Sequence, residues 1–250
     1  MRVVRHISDT AEADNLTPTP VDLSKVLKSL RSDFKDQLSE EDLEKCELFK
    51  GYREIIESYI EYPEAIPNMT DDQKDEYEIA EQYVSRTLKR MVKIMFRVRC
   101  PLVICMTTSS LLNSTGRKGI FKSYIRDFRV VIGDEASQIP EPALLTIASR
   151  LPHARQVYIG DVHLLAPHVK CPPTSNPAVH GARSIMGLLL HAPAAPVAPL
   201  ITTFRAHPAL LALPSRIAYD GQLVSGPPRR LVVSLCRECS SRLQTSRLSL

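Results

Sequence analysis

Apolar residues follow two different rhythms along this chain. In the first hundred positions they recur at helical spacing. Leu23, Val26, Leu27 and Leu30 form one stripe behind Asp22, a candidate N-cap. Ser39-Glu-Glu-Asp42 resembles a capping box and opens a second helix that runs to about Tyr62, where Pro63 and Pro67 end it. Thr70-Asp-Asp-Gln73 opens a third, free of Gly and Pro to about Arg97. Beyond residue 100 the apolar residues gather in short runs: Leu102 to Met106, Arg129 to Gly133 and Gln156 to Ile159. Val3 to Ile7 is a similar β-branched run at the start. Each later run ends in polar or acidic residues and is followed by a helical or loop segment, the signature of a parallel α/β sheet. Such sheets carry functional residues at the carboxyl ends of their strands. There stand Thr107-Thr108, Asp134-Glu135 and Asp161. The three later strands are expected to share one sheet. The helical stretch 22–98 reads as an insertion rather than a core.

Composition narrows the class. The chain has 250 residues, 44% apolar and 24% charged, ordinary values for a globular protein that can build its own core. No run approaches the roughly 20 uninterrupted apolar residues of a membrane helix. Leu188 to Phe204 comes nearest and is broken by His191, Pro193, Pro196 and Pro199. The opening MRVVRHISDT has no apolar signal region, so a cytoplasmic or nuclear location is expected, not secretion. The six cysteines read as free thiols, and the lone Cys236-Arg-Glu-Cys239 pair as chance spacing, because a zinc ribbon needs a second pair.

Charge divides the chain. Residues 1–100 carry 16 basic and 21 acidic side chains, residues 101–225 carry 11 and 6, and the last 25 carry five Arg and one Glu. A basic back half permits a polyanionic partner. Arg86, Lys89, Arg90, Lys93 and Arg97 lie on one face of the third helix, opposite Val84, Leu88, Met91, Val92 and Met95. Such a stripe can follow phosphates or be the solvated side of an amphipathic helix.

The strongest local signal is Val130-Val-Ile-Gly-Asp134-Glu135-Ala-Ser-Gln138. An apolar strand ending in two carboxylates suits phosphoryl transfer, one holding a hydrated Mg²⁺ and the next activating water. Alone it is equally a solvated strand end. Two further segments follow in order: Gly160-Asp161-Val-His-Leu164-Leu-Ala-Pro, then Phe204-Arg205-Ala-His207-Pro208 continuing through Leu213-Pro-Ser to Tyr219-Asp-Gly221.

Together, DEASQ, GDVHLLAP and FRAHPALLALPSRIAYDGQL resemble motifs II, III and IV of the Upf-like branch of superfamily 1 helicases. That family's patterns are DEA(A/S/G/T)Q, GDxxQLxP and YRMHPxxxxFPSxxFYxGxL. The resemblance spans roughly residues 1–226. It implies a RecA-like P-loop NTPase sheet over 1–199 with a helical insert at 22–98. The start of a second RecA-like domain would follow at 200–226, and 227–250 would be an unmatched, disordered tail.

The implied activity is ATP-driven translocation on, and unwinding of, single-stranded RNA or DNA, with ATP and Mg²⁺ as cofactors. Residue by residue, Asp134 would hold Mg²⁺ through water and Glu135 would be the general base. Gln138 would couple the nucleotide and nucleic-acid sites, and Asp161 would sense the γ-phosphate. Arg205 would reach that phosphate, Phe204 would lie near the base, and Thr107 and Thr108 would touch the nucleic-acid backbone.

The chain also departs from the family pattern. There is no GxxxxGK[ST], so no backbone cradle grips the phosphates, and the chain reads as beginning downstream of that loop. Leu164 stands where the family has Gln, Gly133 replaces a β-branched strand residue, and motifs V and VI are missing. Weak or absent nucleotide binding is therefore expected. The alternative is a non-catalytic helicase-like protein that binds nucleic acid, or a protein partner through its C-terminal apolar segment.

Overall fold

A computed structural model describes residues 2–7, 18–172, 174–193, 195–205 and 207–226. The expected tail at 227–250, with the Cys236/Cys239 pair, lies outside the described residues. The fold is mixed α/β, mostly helical, with short parallel strands. Two compact units divide it: Met1–Gly160 with Ala166–Ile185, and Asp161–Leu165 with the chain from Met186 onward.

In the first unit, strand β1 (Val3–His6) pairs in parallel with β2 (Val103–Met106), Val4 opposite Ile104. Between them in sequence come helices α1 (Leu23–Asp33), α2 (Glu40–Glu61) and α3 (Asp71–Val98). The α1 stripe is buried as its spacing predicts. Asp22 stands at the N-cap position but makes no cap hydrogen bond. Its carboxylate instead accepts from Arg5, at 2.5 and 2.8 Å, and from the Thr19 N–H and hydroxyl. Burial pushes the Asp22 carboxyl up, and these hydrogen bonds more than offset it, leaving a pKa of about 2.

The helix starts expected at Ser39 and Thr70 both form. Ser39 accepts the Asp42 N–H, and Thr70 and Gln73 make a reciprocal capping box. Asp42 does not complete the α2 box, because it is buried and takes Arg90 at 2.9 Å and Arg97 at 2.6 Å from α3. Two members of the α3 basic stripe are thereby tied to a carboxylate on α2.

Residues 22–98 do not decorate a core elsewhere. Leu27, Leu30, Phe49, Met91, Val92, Ile94 and Met95 are buried in the same apolar cluster as Val4 of β1 and Phe121. A polar surface composition concealed this, since long helices expose most of their circumference while one stripe builds the interior.

The remainder of this unit comprises α4 (Thr108–Ser114), β3 (Val130–Gly133), α5 (Glu141–Arg150), β4 (Arg155–Tyr158) and α6 (Asn176–Gly181). Ile125, Ile147 and Leu151 form a second, smaller cluster with Val131 packed against it. Arg150 donates to the Leu112 carbonyl and, at 2.7 Å, to Thr115 Oγ1, satisfying the end of α4.

The expectation of one sheet is corrected. Among the described residues β3 pairs with β4 and β2 with β1, and no pairing joins β2 to β3. Strand spacing in sequence reports that strands exist; which edges meet is a tertiary matter.

Helix α7 (Ile185–Leu190) crosses the boundary between the units in sequence. The second unit contains β5 (Thr202–Thr203), α8 (Pro208–Ala218) and β6 (Val224–Ser225). β5 and β6 are parallel, and α8 lies between them in sequence. His207 Nδ1 accepts the Ala209 N–H at 3.2 Å and Pro208 opens the helix, as a structural turn requires. Leu200, Leu210, Leu213 and Ile217 are exposed, whereas Leu211 is buried.

Candidate active site

β3 and β4 are parallel neighbours, with Ile132 opposite Val157 and Gly133 opposite Tyr158. Their pairing runs past the strand ends. The Ile159 N–H donates to the Gly133 carbonyl at 2.8 Å, and the Ala136 N–H donates to the Ile159 carbonyl at 2.9 Å. The chain leaving β3 therefore bends across the end of β4.

The bend is made at Glu135, whose φ is 50° and ψ 43°. A left-handed backbone at a residue with a side chain costs roughly 1–2 kcal/mol, so the surroundings must hold it there. One holding contact is local: Asp134 Oδ1 accepts the Glu135 N–H at 3.0 Å. The 3₁₀ turn Ala136–Gln138 follows. Ala136 and Ser137 are buried, while Asp134, Glu135 and Gln138 are exposed. Two small side chains thus seat the turn and three polar ones are left in solvent.

Two glycines make this seating fit. A Cβ on Gly160 would stand 2.9 Å from the Ala136 nitrogen and 3.0 Å from that of Ser137. A Cβ on Gly133 would stand 2.7 Å from the Tyr158 ring. Gly133, an apparent weakness in the strand sequence, is the space occupied by its neighbour's ring. Ser137 Oγ is buried without a hydrogen-bond partner among the described residues.

Of the residues singled out from the sequence, this turn brings together Asp134, Glu135 and Gln138. Thr107 and Thr108 follow the end of β2, in the chain that leaves the β1–β2 pair. Thr107 caps α4, accepting the Ser110 N–H at 3.2 Å and donating to Ser110 Oγ at 3.1 Å; Thr108 is the first residue of that helix.

Asp161, Phe204 and Arg205 belong to the second unit. Asp161 Oδ1 accepts the His163 N–H at 2.9 Å, and Oδ2 accepts the Tyr219 hydroxyl. The Phe204 ring lies over Gly226, where a Cβ would meet it at 2.3 Å, and is half exposed. Arg205 is exposed, and its N–H donates to Thr203 Oγ1 at 3.4 Å. Leu164 is exposed. Sequence reasoning had no signal for the backbone twist at Glu135, the orphaned Ser137 hydroxyl or the hydrogen bond from Tyr219 to Asp161.

No group of three or more His, Cys, Asp or Glu among the described residues is placed to enclose a metal ion. Two exposed carboxylates at a strand end do suit Mg²⁺, which keeps most of its waters and takes one or two protein oxygens. The donor set therefore fits the metal side of a Mg·nucleotide site. The phosphate side lacks its usual cradle, since the 250 residues contain no GxxxxGK[ST].

No protein-family profile matches the chain. Over 136 residues it is 31% identical to an uncharacterised ATP-dependent helicase of Caenorhabditis elegans. The match covers 54% of this chain but 8% of that protein, so the chain spans a small part of its relative's length. The chain is helicase-like in sequence over that half. No helix among the described residues is long and apolar enough to cross a membrane.

Proposed function

We propose that this chain carries the carboxylate side of the nucleotide site of an ATP-dependent helicase of the Upf-like branch of superfamily 1. Its partners in this reading are single-stranded RNA or DNA and Mg·ATP. The observation that carries the reading is the Asp134–Glu135 turn. Two exposed carboxylates follow a parallel strand, on a left-handed backbone that a mere strand end has no need to maintain.

In this reading Asp134 supplies an oxygen to a hydrated Mg²⁺, and Glu135 accepts the proton of the attacking water. Gln138, in the same turn, transmits to the nucleic-acid side. Asp161 and Arg205 act on the γ-phosphate, Phe204 near the base, and Thr107 and Thr108 along the nucleic-acid backbone. The 250 residues contain no phosphate cradle, so in this reading they form part of a nucleotide site rather than a whole one.

The test is fluorescence anisotropy of equal-length single-stranded RNA and DNA oligonucleotides, with and without Mg·ATP, for wild type and Asp134→Asn. The reading expects salt-dependent binding of at least one oligonucleotide. It also expects a Mg·ATP effect at millimolar nucleotide, small because these residues contain no phosphate cradle, that Asp134→Asn removes. Failure to bind either oligonucleotide at low salt, together with no Mg·ATP effect, defeats it.

A second reading is a non-catalytic protein-binding role. The exposed α8 residues Leu210, Leu213 and Ile217 favour it.

A further inference from the structure

The loop that follows β4 is held by a side chain 58 residues away. Asp161 has both carboxylate oxygens engaged, Oδ1 by the His163 N–H and Oδ2 by the Tyr219 hydroxyl. The Leu164 N–H closes the same loop on the Asp161 carbonyl at 3.2 Å. The His163 ring meets the Tyr219 ring edge-on, with centroids 4.9 Å apart and planes at 72°. One tyrosine therefore touches the loop twice, through its hydroxyl and through its ring.

Tyr219 is itself built in. It ends α8, with its N–H donated to the Ser215 carbonyl at 3.1 Å. Asp220 and Gly221 then turn the chain with φ of 50° and 76°. The Gly221 N–H returns to the same Ser215 carbonyl at 2.8 Å, and the Leu223 N–H reaches Ser215 Oγ at 3.2 Å. Ser215 is buried. A side chain at so constrained a turn can hold its partner in one orientation, because little of its own freedom remains to be lost.

A carboxylate oxygen has two acceptor directions, and one on each oxygen of Asp161 is taken. What remains is a carboxylate aimed by its partners, able to accept from a further donor at the free directions and unable to rotate without breaking two hydrogen bonds. We propose that Tyr219 is a positioning residue: its hydroxyl, with His163 as second support, sets the orientation of the Asp161 carboxylate and the shape of the 161–165 loop. This rests on the reading of Asp161 as a residue that responds to Mg·ATP. The hydrogen bond to Asp161, followed by burial, also pushes the Tyr219 phenol above its ordinary range.

The experiment is amide hydrogen exchange on the full chain, comparing wild type with Tyr219→Phe, Asp161→Asn and the double variant. Each is measured without nucleotide and with millimolar Mg·ATP. Phenylalanine keeps the ring against His163 and removes only the hydroxyl, so a merely structural tyrosine would be rescued by it. The expected result is about tenfold faster exchange at His163 and Leu164 in Tyr219→Phe, with exchange in α8 unchanged. Asp161→Asn should match it, and the double variant should be no worse than either single change. Mg·ATP should slow exchange over 161–165 in wild type and not in Tyr219→Phe.

Unchanged loop exchange in Tyr219→Phe, or effects that add in the double variant, overturns the proposal. So does a Mg·ATP response that is present in wild type and equally large in Tyr219→Phe. If Tyr219→Phe loosens the loop but wild type does not respond to Mg·ATP, the nucleotide reading of Asp161 falls, and the positioning role in that reaction falls with it.

Discussion

Gly160 and Ala136 approach so closely that a single added carbon at Gly160 would lie 2.9 Å from the Ala136 nitrogen. The contact is with backbone, which cannot swing aside as the end of a flexible side chain would. It sits under the turn that carries Asp134 and Glu135. Gly160→Ala should therefore displace that turn, at a stability cost of about 1–3 kcal/mol, typical of overpacking. Denaturant unfolding measures the cost. Wild-type stability in Gly160→Ala would show that the turn yields freely and is not held by this contact.

Ser137 gives the opposite sign. Its hydroxyl is buried with no partner among the described residues, and a polar group left so is unfavourable by roughly 1–3 kcal/mol. Ser137→Ala removes it without changing the size of the residue appreciably. The variant is expected to be as stable as wild type or more so, by up to about 1 kcal/mol. A loss of stability in the same denaturant titration would reveal a partner for the hydroxyl.

Asp42 makes the helical part of the first unit sensitive to acid. Burial raises its carboxyl, but Arg97 and then Arg90 donate to it and bring the pKa down to about 2, from an ordinary value of 3.8. The folded value is the lower one, so the stabilisation is complete above the unfolded pKa and is lost as pH falls from about 4 through about 2. Both arginines are about half exposed, so solvent weakens the pairs. Asp42→Asn should cost roughly 1–3 kcal/mol at pH 7. The gap from wild type should shrink over that acid window. Far-ultraviolet circular dichroism melts at stepped pH test this, and a gap that stays constant down to pH 2 would be the contrary result.

The 250-residue chain alone should release phosphate from ATP at background rates. Phosphoryl transfer depends on positioning and charge stabilisation, and the sequence offers neither a phosphate cradle nor a second arginine motif. Phosphate release is measured with and without single-stranded RNA or DNA. Robust turnover that Glu135→Gln abolishes would mean that other residues of this chain grip the triphosphate.

The order of elements was written in local pattern. The stripe of Leu23, Val26, Leu27 and Leu30, the Thr70/Gln73 box and the apolar runs ending at Met106 and Gly133 are all short-range signals. Short-range physics suffices to form them: a helix face is defined by spacing, and a cap by residues three apart. The DEASQ run likewise placed Asp134, Glu135 and Gln138 together, because one turn holds all three.

Pairing and strain were beyond that reach. Asp42 looked like a capping residue, yet two arginines 48 and 55 positions away took its carboxylate, because a buried charge must find opposite charge wherever the fold supplies it. Gly133 looked like a defect until Tyr158 filled its space. The strands that sequence order suggested would share one sheet divided into separate parallel pairs. The left-handed backbone of Glu135 and the hold of Tyr219 on Asp161 likewise depend on which distant atoms come into contact. The sequence alone determined the local elements and the grouping of the acidic turn, while the tertiary structure decided edges, partners and backbone strain, because those energies exist only once residues far apart in the chain meet.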